Sequence, residues 1–188
     1  MNDPTPESDA ALVRRIGEGE SEACRIIVDL YLDRIVGYGY RMLGDSAEAE
    51  DVAQEAFLRL WRQAPKWRAE APVVHWLHKV TYNLCIDRLR KAKPVSIDAV
   101  PEPPDPARSA AAEVHQGELA SAINSAIQKL PERQRAAIVM VHQEGLSNIE
   151  TAEIMEISVE AVESLLARGR RGLKKSLAGL RPELKGDI

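Results

Sequence analysis

The stretch Gly145–Lys175, GLSNIETAEIMEISVEAVESLLARGRRGLKK, decides the fold. It reads as two short helices joined by a tight turn, the second running on into a basic tail. Ser147 with Glu150 three residues later is a capping box, in which each side chain serves the other's backbone amide and so starts a helix. Ile149, Ala152 and Ile154 give that helix an apolar face, and the small Ala152 lets a second helix cross closely. Glu156-Ile157-Ser158 is the break. Ile157 plugs the corner, Ser158 caps the second helix, and Val162, Leu165 and Leu166 form its inward stripe. Such a pair is the form of a helix-turn-helix whose second helix enters the DNA major groove, although an amphipathic hairpin with a solvated charged face has the same pattern.

The charges favour DNA. Glu144 to Glu163 holds six acids (Glu144, Glu150, Glu153, Glu156, Glu160, Glu163) and no base. Ser164 to Pro182 holds six bases (Arg168, Arg170, Arg171, Lys174, Lys175, Arg181) and no acid. A basic block beside a candidate recognition helix suits phosphate contact. The whole chain is acidic nonetheless, with a net charge of −4. That excludes a protein that coats nucleic acid without specificity, and it makes a DNA reader dependent on a partner for backbone affinity.

The 188 residues are 45% hydrophobic and 29% charged, with one Phe, four Tyr and three Trp, the composition of an ordinary helical chain of one domain or two small ones. No apolar run reaches membrane-spanning length and no signal-peptide pattern is present, so the expected location is cytoplasmic. Cys24 and Cys85 lie in apolar helical patterns away from other ligand-type residues and read as reduced core thiols. No metal site and no cofactor is expected. There is no Gly-rich phosphate loop and no nucleophile with a base, so an enzyme is not expected either.

Outward from the helix-turn-helix, the chain is helical throughout. Residues Met1 to Ser8 are polar and read as frayed. Asp9 can cap a helix bearing Leu12, Val13 and Ile16. Ile27, Tyr31, Ile35, Tyr38 and Met42 then lie on one helical face. Gly44 ends that helix, and Asp45 with Glu48 caps the next, whose apolar stripe is Val52, Ala53, Ala56, Phe57, Leu60 and Trp61. Pro65 closes it. Lys66–His75 is a loop with an aromatic and two bases, and a further helix carries Trp76, Leu77, Val80, Leu84 and Leu89. Lys93–Ser109 holds five prolines and reads as a linker. A helix bearing Leu119, Ile123, Ile127 and Leu130 follows, and Pro131 opens the next.

Three segments taken together resemble one family. Gly44–Arg62 (GDSAEAEDVAQEAFLRLWR), Trp76–Lys91 (WLHKVTYNLCIDRLRK) and Leu130–Arg171 stand in the order and spacing of bacterial extracytoplasmic-function sigma factors of the sigma-70 family. The resemblance runs from about Asp9 to Leu180. It implies an all-α fold of two small helical domains: region 2 over 1–92 and region 4 over 113–188, joined by a Pro-rich linker over 93–112. It implies a sigma factor that binds core RNA polymerase and directs promoter-specific transcription initiation in a stress response, held inactive by an anti-sigma factor.

The family also implies a role for each part. Asp51, Gln54, Glu55, Leu58 and Trp61 match the helix that binds the clamp helices of the polymerase β′ subunit. Trp67, Arg68, His75, Asn83, Arg88 and Arg90 are candidates for single-stranded −10 DNA, which needs a basic track and surfaces for bases. Trp76 fits a core position equally well, and Asn83 a structural amide. Region 4 implies contact with the β flap and −35 DNA, through Ser158, Glu160, Glu163, Ser164, Arg168 and Arg171. Two departures stand out. Glu156 occupies a turn position that is usually Gly, and Glu163 and Leu165 stand where Lys or Arg is common. A stand-alone helix-turn-helix regulator and an adaptor that binds polymerase without reading DNA are the other readings.

Overall fold

The computed structural model describes residues 8–68, 71–92 and 114–178, with side chains from residue 120 onward in the last segment. The expected frayed start, the Pro-rich linker, Leu119 as a core side chain and Arg181 lie outside the described residues. Within them the chain is all-α. Four helices form the first half: α1 (Asp9–Gly17), α2 (Ser21–Leu43), α3 (Ser46–Gln63) and α4 (Val73–Ala92). Four form the second: α5 (Val114–Gln128), α6 (Glu132–His142), α7 (Asn148–Met155) and α8 (Val159–Leu177).

Local chemistry explains most boundaries. Asp45 accepts from the Glu48 amide at 2.9 Å and starts α3, while Gly44, at φ 80°, ends α2 in the left-handed conformation that lacks a Cβ penalty. Inside α2, Gly39 lets α3 approach: a Cβ there would stand 3.3 Å from Ala49. Three expectations are corrected. Ser8, not Asp9, caps α1, its Oγ accepting from the Ala11 amide; Asp9 instead accepts from the Tyr31 hydroxyl at 2.5 Å. A 3-10 turn over Ala64–Lys66 follows α3 and contains Pro65. The expected loop before α4 ends early, because Pro72 accepts from the His75 and Trp76 amides and puts His75 in the first helical turn.

Leu12, Ile16, Ile27, Ile35, Ala56, Leu60 and Leu77 form a core within the first half. The second core is shared. Tyr38, Met42, Val52, Tyr82 and Cys85 from the first half pack with Ile127, Ile138, Met140, Ile154, Val162 and Leu166 from the second. The reason is partly polar. The last carbonyls of a helix have no intrahelical donor, and at the end of α2 these donors come from the other half. Gln128 Nε2 donates to Tyr40 O at 3.1 Å and Arg41 O at 2.8 Å, and the buried Arg135 guanidinium donates to Met42 O, its charge complementing the helix dipole. Burial lowers the Arg135 pKa.

A second polar junction lies beside it. Glu144 lies in the turn after α6 with its side chain 4% exposed. Arg34 Nε donates to its Oε2 at 2.8 Å, Arg41 to its Oε1 at 3.2 Å, and His78 Nε2 lies 3.2 Å from Oε2. The other nitrogen of the fully buried His78 ring stands 2.7 Å from the Val74 carbonyl, which can only accept. Both ring nitrogens therefore lie against oxygen atoms, and the ring bridges the Val74 carbonyl and Glu144.

Burial by itself raises the Glu144 carboxyl, but hydrogen bonds from His78 and Arg34 outweigh it and hold the pKa below its ordinary 4.5. A carboxyl depressed in the folded chain contributes stability that is complete above the unfolded value and is lost as pH falls through the folded one. We predict that Glu144→Gln lowers stability at pH 7 by about 2 kcal/mol, less than the ~3–5 of a fully buried broken pair because the two arginines can turn to solvent. Urea unfolding checks it: the gap between the two chains narrows as pH drops below 4.5, and an unchanged gap contradicts the assignment.

Candidate nucleic-acid and polymerase interfaces

Three surfaces carry the residues singled out from sequence. The first is a groove of about 540 Å3 between α2 and α3, lined by apolar side chains with Asp33, Glu50 and Gln54 among them. Three of the five expected polymerase-binding residues line it: Gln54, Leu58 and Trp61, the last two 40% and 48% exposed. Large apolar side chains left this open are what an interaction surface looks like. Asp51 is exposed on the same helix, outside the groove lining. Glu55 is tied at 2.8 Å to Arg59, whose hydrogen bond lowers its pKa. The opposite wall was missed from sequence: Cys24, Val28, Leu32 and Val36. They recur every four residues, a second apolar stripe on α2 beside the core stripe, and that periodicity was available to be read. Cys24 is accordingly half-buried, lining the groove while packing on the edge of the first core.

The second surface is α4 with the residues leading into it. Trp67 and Trp76 meet edge to face with ring centroids 5.7 Å apart. Trp76 is half-buried, and both rings pack on the first core. Arg68 is exposed beside them. His75, Asn83 and Arg90 fall on one face of α4, with Asn83 and Arg90 exposed. Lys79, absent from the sequence expectations, lies on that face four residues from both His75 and Asn83. Arg88 points elsewhere: it pairs with Glu48 Oε2 at 2.7 Å and donates to Glu48 O at 2.5 Å, fastening the end of α4 to the start of α3.

The third surface is the helix-turn-helix. Its capping box is complete, with Ser147 N–H donating to Glu150 at 2.7 Å and Glu150 N–H to Ser147 at 3.2 Å. Ser158 accepts from the Ala161 amide at 3.2 Å and caps α8. The inward face of α7 is corrected: Thr151, Ala152, Ile154 and Met155 are buried, while Ile149 is 62% exposed. The crossing of α6 and α8 depends on Gly169, where a Cβ would stand 2.7 Å from Ile138. Glu160, Glu163, Ser164, Arg168 and Arg171 form one exposed stripe along α8, acidic at its start and basic toward its end. This order complements the helix dipole by itself. The amide of Glu160 and the Ser158 side chain lower the pKa of Glu160.

Comparison with known proteins identifies the family. The sigma-70 region 2 family matches residues 27–95 and the sigma-70 region 4 family residues 120–173. The ECF RNA polymerase sigma factor SigW of Bacillus subtilis is 36% identical over 179 residues, 89% of this chain and 96% of that protein. The RNA polymerase sigma-H factor of Pseudomonas aeruginosa is 30% identical over 187 residues, 94% and 97% of the two chains. Among solved structures, CnrH in complex with the cytosolic domain of CnrY shares the fold with a TM-score of 0.70 at 22% identity, covering 92% of this chain and 99% of that one. The fold and its helix-turn-helix are those of a sigma-70-type protein. The chain belongs to the extracytoplasmic-function family of RNA polymerase sigma factors, and as such directs promoter-specific transcription initiation.

The departure at Glu156 has a structural answer. This residue has φ 54° and ψ 49°, left-handed as a turn there requires, and its carboxylate reaches Lys79 of α4 at 2.8 Å. A left-handed non-Gly residue costs roughly 1–2 kcal/mol. We predict that Glu156→Gly is more stable than Glu156→Ala by about 1 kcal/mol in urea unfolding, since both lose the Lys79 pair and only the backbone differs. Equal midpoints contradict the strain.

Proposed function

We propose that the three surfaces divide the work of a sigma factor, with region 2 over 1–92 and region 4 over 113–188 joined through 93–112. The α2–α3 groove takes the clamp helices of the polymerase β′ subunit through Leu58, Trp61, Gln54 and the Val28–Leu32–Val36 wall, with Asp51 and Glu55 at its edge. The observation that carries this is the groove itself: apolar, open, and flanked by carboxylates. Trp67, Arg68, His75, Asn83 and Arg90 serve the −10 strand, with Arg88 holding α4 in place. Ser158, Glu160, Glu163 and Ser164 lie over −35 base edges while Arg168 and Arg171 meet phosphates, and region 4 also meets the β flap.

An acidic chain that reads DNA only in company with polymerase fits this division. The chemistry of RNA synthesis belongs to the polymerase, and the sigma factor needs no cofactor. We infer cytoplasmic action and control by an anti-sigma factor in a stress response. The support is the family, together with a fold shared by CnrH in complex with the cytosolic domain of CnrY and by RpoE of Bartonella quintana in complex with the anti-sigma factor NepR (TM-score 0.63, 20% identity, 82% and 96% of the two chains). No helix among the described residues is long and apolar enough to cross a membrane.

Run-off transcription on fragmented genomic DNA with bacterial core polymerase tests the reading. New discrete transcripts sharing an upstream motif are expected with the chain and not without it. Trp61→Ala weakens core binding by about 30-fold, the effect of losing one well-packed aromatic anchor, ~2 kcal/mol. Normal core affinity in that variant moves the polymerase site elsewhere. Glu163 accepts from a cytosine N4 amine, and Glu163→Ala relaxes −35 preference at one base pair by ~1–3 kcal/mol in a promoter-variant panel. An unchanged preference removes Glu163 from the reading set.

A further inference from the structure

Arg88 and Arg90 stand two residues apart on α4, which points them ~200° away from each other around the helix. Arg90 shares the outward face of Asn83 and is exposed, its guanidinium held loosely at 3.8 Å from Asp87. Arg88 turns to the other side, where Leu84, one turn earlier, packs against both cores. One nitrogen of Arg88, Nη1, meets the Glu48 carboxylate at 2.7 Å and the Glu48 carbonyl at 2.5 Å. Glu48 lies in the first turn of α3, and its own amide is capped by Asp45. Farther along the same helix stand Gln54, Leu58 and Trp61, the residues of the apolar groove.

The end of a helix holds a side chain least firmly, because its last carbonyls have no intrahelical donor and the turn frays. Arg90 lies two residues before the end of α4 at Ala92. A guanidinium in that turn that grips the neighbouring helix removes this freedom. One of the two oxygens it grips is main chain, so α4 is tied to the backbone of α3 and not merely to another long side chain. An exposed ion pair of this kind adds little to stability. Its value is geometric, as for the supporting contacts of any binding site.

We propose that Arg88 is a positioning residue for −10 recognition. By clasping Glu48 it fixes the last turn of α4 on the helix that seats polymerase, so that Arg90 meets the DNA backbone at a set distance from that seat. Arg88 itself does not touch DNA. The inference rests on the Asn83–Arg90 face of α4 being the −10 face. Arg88 and Glu48 both belong to the first half, so the clasp does not depend on how the two halves meet.

Glu48 separates this role from direct contact by the sign of its effect. If Arg88 met a phosphate, Glu48 would compete for it, and Glu48→Ala would tighten DNA binding. If Arg88 works through the clasp, Glu48→Ala weakens it. The test uses holoenzyme, core polymerase with the full chain, on a fluorescein-labelled promoter fork whose −10 region is single-stranded, taken from a promoter mapped by the run-off transcripts. Anisotropy is read across a salt series, and core affinity is measured separately.

Arg90→Ala is expected to weaken fork binding about 10-fold and to flatten its salt dependence by about 0.7 in slope, one phosphate of a single strand. Arg88→Ala should weaken it about 5-fold and Glu48→Ala about 3-fold, the main-chain half of the clasp surviving in the latter. Neither adds to the loss in a chain already carrying Arg90→Ala. Arg88→Lys restores part of the binding, and core affinity is unchanged in every variant. Tighter binding by Glu48→Ala, or additive losses from Arg88→Ala and Arg90→Ala, makes Arg88 a direct contact and overturns the proposal. A fall in core affinity in Arg88→Ala that matches its loss on the fork makes the clasp a part of the fold alone and overturns it too. If Arg90→Ala loses binding while Arg88→Ala and Glu48→Ala bind like the parent, positioning fails and the −10 reading stands. If Arg90→Ala binds like the parent, the −10 reading of Arg90 fails, and the positioning with it.

Discussion

A carboxylate cannot leave water without donors, and the architecture of this chain turns on where Glu144 finds them. Among the described residues, nothing in the second half serves its side chain. Arg34 and Arg41 come from one helix and His78 from another, all in the first half. The dependence runs both ways, since the carbonyls at the end of α2 are served by Gln128 and Arg135. Each half leaves polar groups that the other completes. The apolar contact between them, from Tyr38 and Met42 to Ile138 and Leu166, is therefore fixed in register by hydrogen bonds. Apolar surfaces alone can slide over one another; this pair cannot without orphaning a charge.

How much of this was legible depended on sequence distance. Helix ends are local events, and the caps at Asp45, Ser147 and Ser158, the stop at Gly44 and the break at Glu156 were readable from residues within four positions, whereas the left-handed turn at Glu156 was implied only by the family resemblance. The core stripe of α2 was readable from its period. The second stripe of the same helix followed the same rule, but a stripe is recognised as a binding wall only when the facing helix is known. Junctions between halves left no local signal. Glu144 and His78 are 66 residues apart, Glu144 and Arg34 110. From sequence, Glu144 was one more acid in an acidic run, and Arg88 a −10 DNA candidate instead of a clasp on Glu48. Ile149 was misplaced because an eight-residue helix holds two turns, too few for the period to separate an inward residue from its neighbour.

The acidic run can now be divided. Glu144, Glu150 and Glu156 face the first half, and Glu160 sits in the first turn of α8, where the positive end of the helix dipole favours a carboxylate. Of the six acids counted from sequence, this leaves Glu153 and Glu163 without a structural role of that kind. Glu163 shares its helix face with Ser164, Arg168 and Arg171, and on a helix lying in a groove such a face meets bases near its start and phosphates farther on. On the −35 reading proposed for α8, electrostatics separates two functions along one helix. Its basic end supplies attraction that ignores sequence, while an acidic start repels phosphates and tolerates DNA only where a base offers a donor. A helix charged in this way gains little affinity from the acidic end and spends it on discrimination. It can do so when another component holds the DNA, and on the proposed reading that component, for a chain of net charge −4, is the polymerase.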